Sequence, residues 1–328
     1  MINVFKALNP LNILRLGILL IVLRAVYWFN APPKIEFAFY GTFNRLLMHV
    51  NGHYSFSSGV NIFLAALVVF VQAILLNYLV NNFNLLGKPT FLPALMFVTV
   101  SSLFTPFLVL SPPLLCNFLL IWMIYKVLNF YKTKDAIASA YDMGMIVGIG
   151  SIIYMPFIFL FLLSWVGLMI FRPPHWREFS AGIVGYLTIF FFLAVYYYLN
   201  NSIDQYPNIW STLTTNFTGK LILNRYTYFE LIPVGIILIL SFSKIQQVFF
   251  RSYVQVRKSF QLIFILLIIT VLSVYVKEAF HFYHFILCTI PVAILFSYYF
   301  LNGKKAWFYE SLYLVLIAGI IYFQFNTF

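Results

Sequence analysis

Charge is scarce in this chain, and negative charge most of all. Its 328 residues hold eight Asp and Glu against 20 Lys and Arg, and charged residues of both signs make up only 9%. With 63% of the residues hydrophobic, so few charges cannot cover a soluble protein of this length. Cysteine is scarcer still. Cys116 and Cys288 both lie inside apolar runs, which argues against a disulfide framework and against a Cys metal site. No Walker loop, GxSxG, HExxH or GxGxxG occurs, so an ATP-driven pump or a soluble-type hydrolase has no support. No cofactor is specified by any motif. The net charge of +12 does not point to nucleic acid, because the basic residues sit mostly in short loops, where they orient helices.

What the sequence has is apolar runs near the length of a membrane span, recurring along the whole chain. The alternating stretches of a barrel are absent, which leaves an all-α polytopic membrane protein. Helices are expected at about 12–29, 61–80, 90–110, 113–130, 180–199, 228–243, 259–276, 282–301 and 306–325. The first run lacks a small-residue cleavage site and reads as a retained helix. The stretch 136–171 is too long for one ordinary span. Gly144, Gly148, Gly150 and Pro156 mark a break that would make it two. Two passes put Lys6, Lys88, Lys126, Arg172, Lys244, Arg251, Lys304 and Lys305 on one side. One pass would scatter them. The expectation is eleven passes in a bacterial inner membrane, with the N-terminus inside and the C-terminus outside. The chain is then one transmembrane domain, with external loops at about 30–60 and 200–227.

Ionisable groups gather in the external segments. Glu36 follows a stiff Ala-Pro-Pro and precedes a stretch that forms an amphipathic interfacial helix, on which Arg45 and His49 share one face. His53 lies beyond a Gly. The plainer reading is that Glu36 pairs with Lys34 or Arg45 and only shapes the loop. A second cluster holds Lys277, His281 and His284 on one helical face, with Cys288 one turn deeper. Its plainer reading is interfacial residues reaching toward headgroups. A third, in "TGKLILNRYTYFEL", offers Lys220 and Arg225 as cations able to hold a phosphate, or forms an ordinary charged loop. On the inner side, "FRPPHWREF" (171–179) reads as an orienting and interfacial block, with a docking surface as the alternative. Gly182 and Gly185 offer a small-residue face for assembly with another subunit.

This layout resembles the glycosyltransferase C superfamily. The resemblance rests on the acid in the first external loop and on two further stretches. "SAYDMGMIVGIGSIIYMPFIFLFLLSWVGLMIFR" (139–172) resembles the superfamily's Gly-rich helix pair, and "FYHFILCTIPVAILFSYYFL" (282–301) resembles its late "RY-LLP-LP" helix. The resemblance implies a sugar taken from a polyprenyl-phosphate donor at the outer leaflet. Glu36 would be the general base or the group that orients the acceptor. Lys220, Arg225 or Lys277 would stabilise the leaving phosphate. The chain departs from the pattern in carrying a single Glu where an Asp or a pair of acids is usual, and in lacking a soluble C-terminal domain. The "RPPHWREF" block followed by an aromatic helix also resembles an uncharacterised family of multi-pass inner-membrane proteins in Bacteroidota. The alternative function is a non-catalytic subunit of an inner-membrane envelope-biogenesis or secretion complex. It would bind membrane lipids and other subunits.

The charge asymmetry makes a direct prediction. A topology reporter fused after Phe328 should report the outside and one near Arg251 the inside. The reverse, Arg251 outside and Phe328 inside, would mean that 136–171 crosses once.

Overall fold

The computed structural model describes residues 1–29, 57–131, 136–210, 225–250, 252–273 and 282–325. Every regular element among them is helical. The main helices are α1 (Leu11–Leu23), α2 (Ser58–Asn82), α3 (Leu92–Val100), α4 (Pro112–Asn129), α5 (Ile137–Ile153), α6 (Phe161–Phe171), α7 (Trp176–Leu199), α8 (Arg225–Phe249), α9 (Val254–Ser273), α10 (Thr289–Asn302) and α11 (Ala306–Phe325). Among the described residues, six helices are long and apolar enough to cross a membrane, which marks a membrane protein.

The centre is the pair α3 and α10. All nine residues of α3 are buried, as are Thr289–Phe300 of α10. Helices apolar on every face belong in such a position. The outer helices α7 and α8 keep most of their apolar side chains uncovered, including Leu187, Phe191, Phe192 and Ile239.

The chain alternates between two ends. At the near end the Met1 amino group pairs with Glu310 at 2.9 Å, Tyr309 donates to Asn3, and the Phe91 amide donates to the Phe5 carbonyl. Lys126 meets Asp142 there at 2.7 Å. Arg172 meets Glu178 at 3.3 Å, and Glu178 also accepts from the Ala136 amide. Arg172 and Glu178, from the block read as an orienting one, are thus turned inward and clamp α6 and α7 to the start of α5.

Beyond the first run, three helices are interrupted where the sequence suggested continuous runs or left the point open. In 90–110, α3 stops at Val100. Hydroxyls of Thr99, Ser101 and Ser102 bond the carbonyls of Leu95 and Val98, an alternative that competes with helix propagation. A 3₁₀ turn at Thr105–Phe107 follows. At about 14 Å, nine α-helical residues alone could not cross a bilayer core. In 136–171, α5 ends at Tyr154, whose backbone is extended. Pro156 has no N–H to continue the ladder, so the chain tightens into 3₁₀ helix at Met155–Leu160 before α6 begins. The stretch is therefore two helices. The last interruption opens 282–301, which starts as 3₁₀ helix at Phe282–Cys288. Boundaries elsewhere move outward: α8 and α9 run closer to their shared turn than 228–243 and 259–276 suggested. The first run, expected at 12–29, breaks at Arg24 and resumes at Ala25–Phe29.

Gly182 and Gly185 face inside the chain rather than a partner. The parallel helices α5 and α7 meet through glycines. A Cβ on Gly144 would overlap the Gly182 carbonyl oxygen, and one on Gly185 the Tyr141 carbonyl oxygen. Close backbone approach of this kind needs the smallest residues. Gly185→Ala should therefore lower stability by about 1–3 kcal/mol through overpacking against backbone. Gly235→Ala, at a helical site where a Cβ meets nothing within 4 Å, should hold or raise it. Unfolding midpoints of the two purified variants check this, and equal behaviour would refute the packing account.

Candidate functional site

The three interruptions meet at the far end of the bundle. The Thr105–Phe107 turn lies against Phe282–Cys288, α4 packs on the same segment, and α9 touches both Met155–Leu160 and Phe282–Cys288. Broken helices free backbone donors and acceptors that an apolar bundle cannot leave unsatisfied. Polar side chains from neighbouring helices meet them. The Leu110 amide donates to Asn61 Oδ1 at 2.9 Å. Asn117 Nδ2 donates to the Ile286 carbonyl and to Thr289 Oγ1, and Gln72 Nε2 donates to the Leu114 carbonyl at 2.6 Å. Arg24, fully buried at the end of α1, donates through Nη1 to the carbonyls of Leu108 at 3.0 Å and Ile62 at 3.4 Å.

Two of the breaks are tied directly. Tyr154 Oη and His284 Nδ1 lie 2.9 Å apart, both residues buried, with their rings stacked 5.7 Å apart at 24°. Either the phenol donates to Nδ1 and the ring proton sits on Nε2, or Nδ1–H donates to the phenol oxygen. The Tyr283 ring lies 4.3 Å from the imidazole on its other contact. This arrangement holds an imidazole in a fixed direction and can pass a proton between ring and phenol.

Among the residues expected at a site, His284 alone has a described side chain. Glu36, Arg45, His49, His53, Lys220, Lys277 and His281 lie outside the described residues, and Arg225 opens α8 with its side chain outside them. The chain leaves and re-enters the described structure around 30–56, 211–224 and 274–281 at this same far end. There Arg24 touches the start of α2, and Phe282–Cys288 follows directly. The common face expected for His284 and Cys288 is not formed. In 3₁₀ geometry the two diverge, and Cys288 bonds Thr270 on α9 while His284 meets Tyr154. Between α7 and α8, the turn at 203–210 folds back so that Trp210 packs on Phe190. Burial raises the Tyr206 phenol above its usual range. Among the described residues no three of His, Cys, Asp or Glu come together to hold a metal ion.

Sequence reasoning did not single out Tyr154, Asn61, Asn117 or Arg24. The available signal was an ionisable or amide side chain inside an otherwise apolar run, which at membrane depth is costly and marks a role.

The Tyr154–His284 contact can be tested by a double-mutant cycle. Tyr154→Phe should cost about 0.5–1.5 kcal/mol, the net worth of one buried hydrogen bond. Most of that cost should vanish when His284 is already Asn. Additive losses would show that the two side chains are not coupled.

The comparisons with known proteins come down to one match. The family described as "Family of unknown function (DUF6427)" matches residues 35–328. No curated protein and no solved structure matches the chain.

Proposed function

The chain belongs to this family of unknown function, and from that premise we propose a glycosyltransferase-C-like protein acting on a polyprenyl-phosphate-linked sugar. It sits in a bacterial inner membrane, crosses it eleven times, and works at the outer face. The observation that carries this reading is the meeting of three helix breaks at the far end. Irregular backbone at membrane depth occurs where it is enclosed by protein or lines a cavity, and a plain bundle has no need of it. The segments holding Glu36, Lys220 and Lys277 all attach at that end. The basic residues support the orientation. Lys6, Lys88, Lys126, Arg172, Lys304 and Lys305 belong to the near end, the side that the positive-inside rule assigns to the cytoplasm.

In this reading Glu36 deprotonates or orients an acceptor hydroxyl. Lys220, Arg225 and Lys277 hold the phosphate of the donor. Arg45, His49 and His281 contact the substrate, and His284 with Tyr154 forms the inner wall. A second reading, a non-catalytic subunit of an envelope-biogenesis or secretion complex, has its own supporting observation. An apolar groove of about 540 Å³ opens between α8 and α9, lined by Phe242, Phe249, Phe250, Phe260 and Phe264. It is wide enough for a partner helix's side chains or for lipid chains.

Glu36→Gln separates the two. It keeps size and hydrogen bonding but removes basicity. Loss of a general base costs about 10²–10⁴ in rate. Normal membrane abundance with lost transfer of labelled sugar from polyprenyl phosphate is the expected result. No transfer by the wild-type protein, with Glu36→Gln fully functional in cells that depend on it, would favour the subunit reading.

A further inference from the structure

We propose that Arg24, Asn61 and Ser111 form an anion site at the far end that takes the phosphate group of an amphiphile. The inference deepens the reading above, since it names a phosphate-binding group that the loop cations do not include.

Donor groups on Arg24 and Asn61 are buried with no acceptor among the described residues. A guanidinium carries five N–H groups and no acceptor, and it stays charged. Arg24 is fully buried. Its Nη1 is occupied by the Ile62 and Leu108 carbonyls, while Nε and Nη2 have no partner among the described residues. The ion pairs among the described residues are Met1–Glu310, Lys126–Asp142 and Arg172–Glu178, so no described carboxylate compensates it. A buried cation without a counter-charge is strongly destabilising.

Asn61 precedes one of the two carbonyls that Arg24 bonds. Its Oδ1 accepts from the Leu110 amide, which fixes the amide orientation, because the flipped form would set NH₂ against N–H. Nδ2 is then a donor, and it too is buried and without a partner among the described residues. Ser111 follows Leu110, and its Oγ is in the same condition. All three hang on two short pieces of backbone, Asn61–Ile62 and Leu108–Ser111. The buried acceptors that lack partners among the described residues lie elsewhere, on Gln72, Asn77 and Asn117 further along α2 and α4 and on Glu178 at the near end.

The guanidinium and amide N–H groups, with a hydroxyl free to donate, match a group with several negative oxygens. The planar fork of Arg binds phosphate through two parallel bonds, and the remaining oxygens suit Asn61 and Ser111. An amphiphile fits because uncovered apolar side chains flank the site. Ile18, Ile21 and Val22 on α1 and Phe63 on α2 offer a surface for its tail.

The test measures thermal unfolding of the full-length chain in detergent with dodecyl phosphate, dodecanol or inorganic pyrophosphate. Dodecyl phosphate should raise the wild-type midpoint and dodecanol should not, since only a ligand that binds the folded state stabilises it. An equal rise with pyrophosphate assigns a free phosphate compound as the source. A rise with dodecyl phosphate alone assigns a lipid headgroup. Arg24→Met and Ser111→Ala should bind about tenfold or more weakly, the loss expected from one charge-assisted hydrogen bond. If Arg24→Met does not fold, Ser111→Ala decides. No wild-type shift with any probe, or variants that shift as far as the wild type, would overturn the site. Binding without sugar transfer by the wild type would sink the transferase reading and leave the site standing. Transfer by an Arg24→Met protein of undiminished affinity would do the reverse.

Discussion

Backbone hydrogen bonding in an apolar medium is the constraint on which this fold depends. A continuous helix satisfies its own amides and carbonyls, whereas a broken one must borrow partners. Here the partners are side chains set on other helices: Arg24 from α1, Asn61 and Gln72 from α2, Asn117 from α4. Arg24, Asn61 and Asn117 can each be matched to a break that it serves. The cost of burying these side chains and the cost of interrupting the helices are two halves of one arrangement. Removing either half leaves the other unsatisfied.

The two ends of the bundle are built from different chemistry. Ion pairs dominate the near end, linking Met1 to Glu310, Lys126 to Asp142 and Arg172 to Glu178. Among the described side chains, neutral hydrogen bonds and the buried cation Arg24 dominate the far end. The opposite charges at the near end meet in pairs, although Glu178 Oε2 has no partner among the described residues. At the far end, donor groups of Arg24 and Asn61 are buried without a partner among the described residues, which is why the proposed site is placed there.

The positions of the helices were legible from apolar runs, and the break inside 136–171 from its glycines and Pro156. The interruptions at 101–111 and 282–288 were not. Thr and Ser hydroxyls are compatible with either a helix or its end, and only the packed structure shows which carbonyls they take. Arg24 was visible, but a count that assigns every cation to a membrane side could not show that this one is buried. The pairing of Tyr154 with His284 spans 130 residues of sequence, and no spacing rule reaches that far. Gly182 and Gly185 were read as a face for another subunit, whereas they pack on α5 of the same chain, which sequence alone could not show.

The 3₁₀ form of Phe282–Cys288 sets an angle as well as a length. A 3₁₀ helix turns about 120° per residue and rises about 2.0 Å, against about 100° and 1.5 Å in an α-helix. Over the five steps from His284 to the start of α10, that difference swings the imidazole by about 100° and lifts it by about 2.5 Å. Rewinding this one turn as α-helix would carry His284 off Tyr154 altogether. The stacked pair therefore works as a gauge of helical pitch, and it shares the fixing of these seven residues with Asn117 at Ile286 and Thr270 at Cys288.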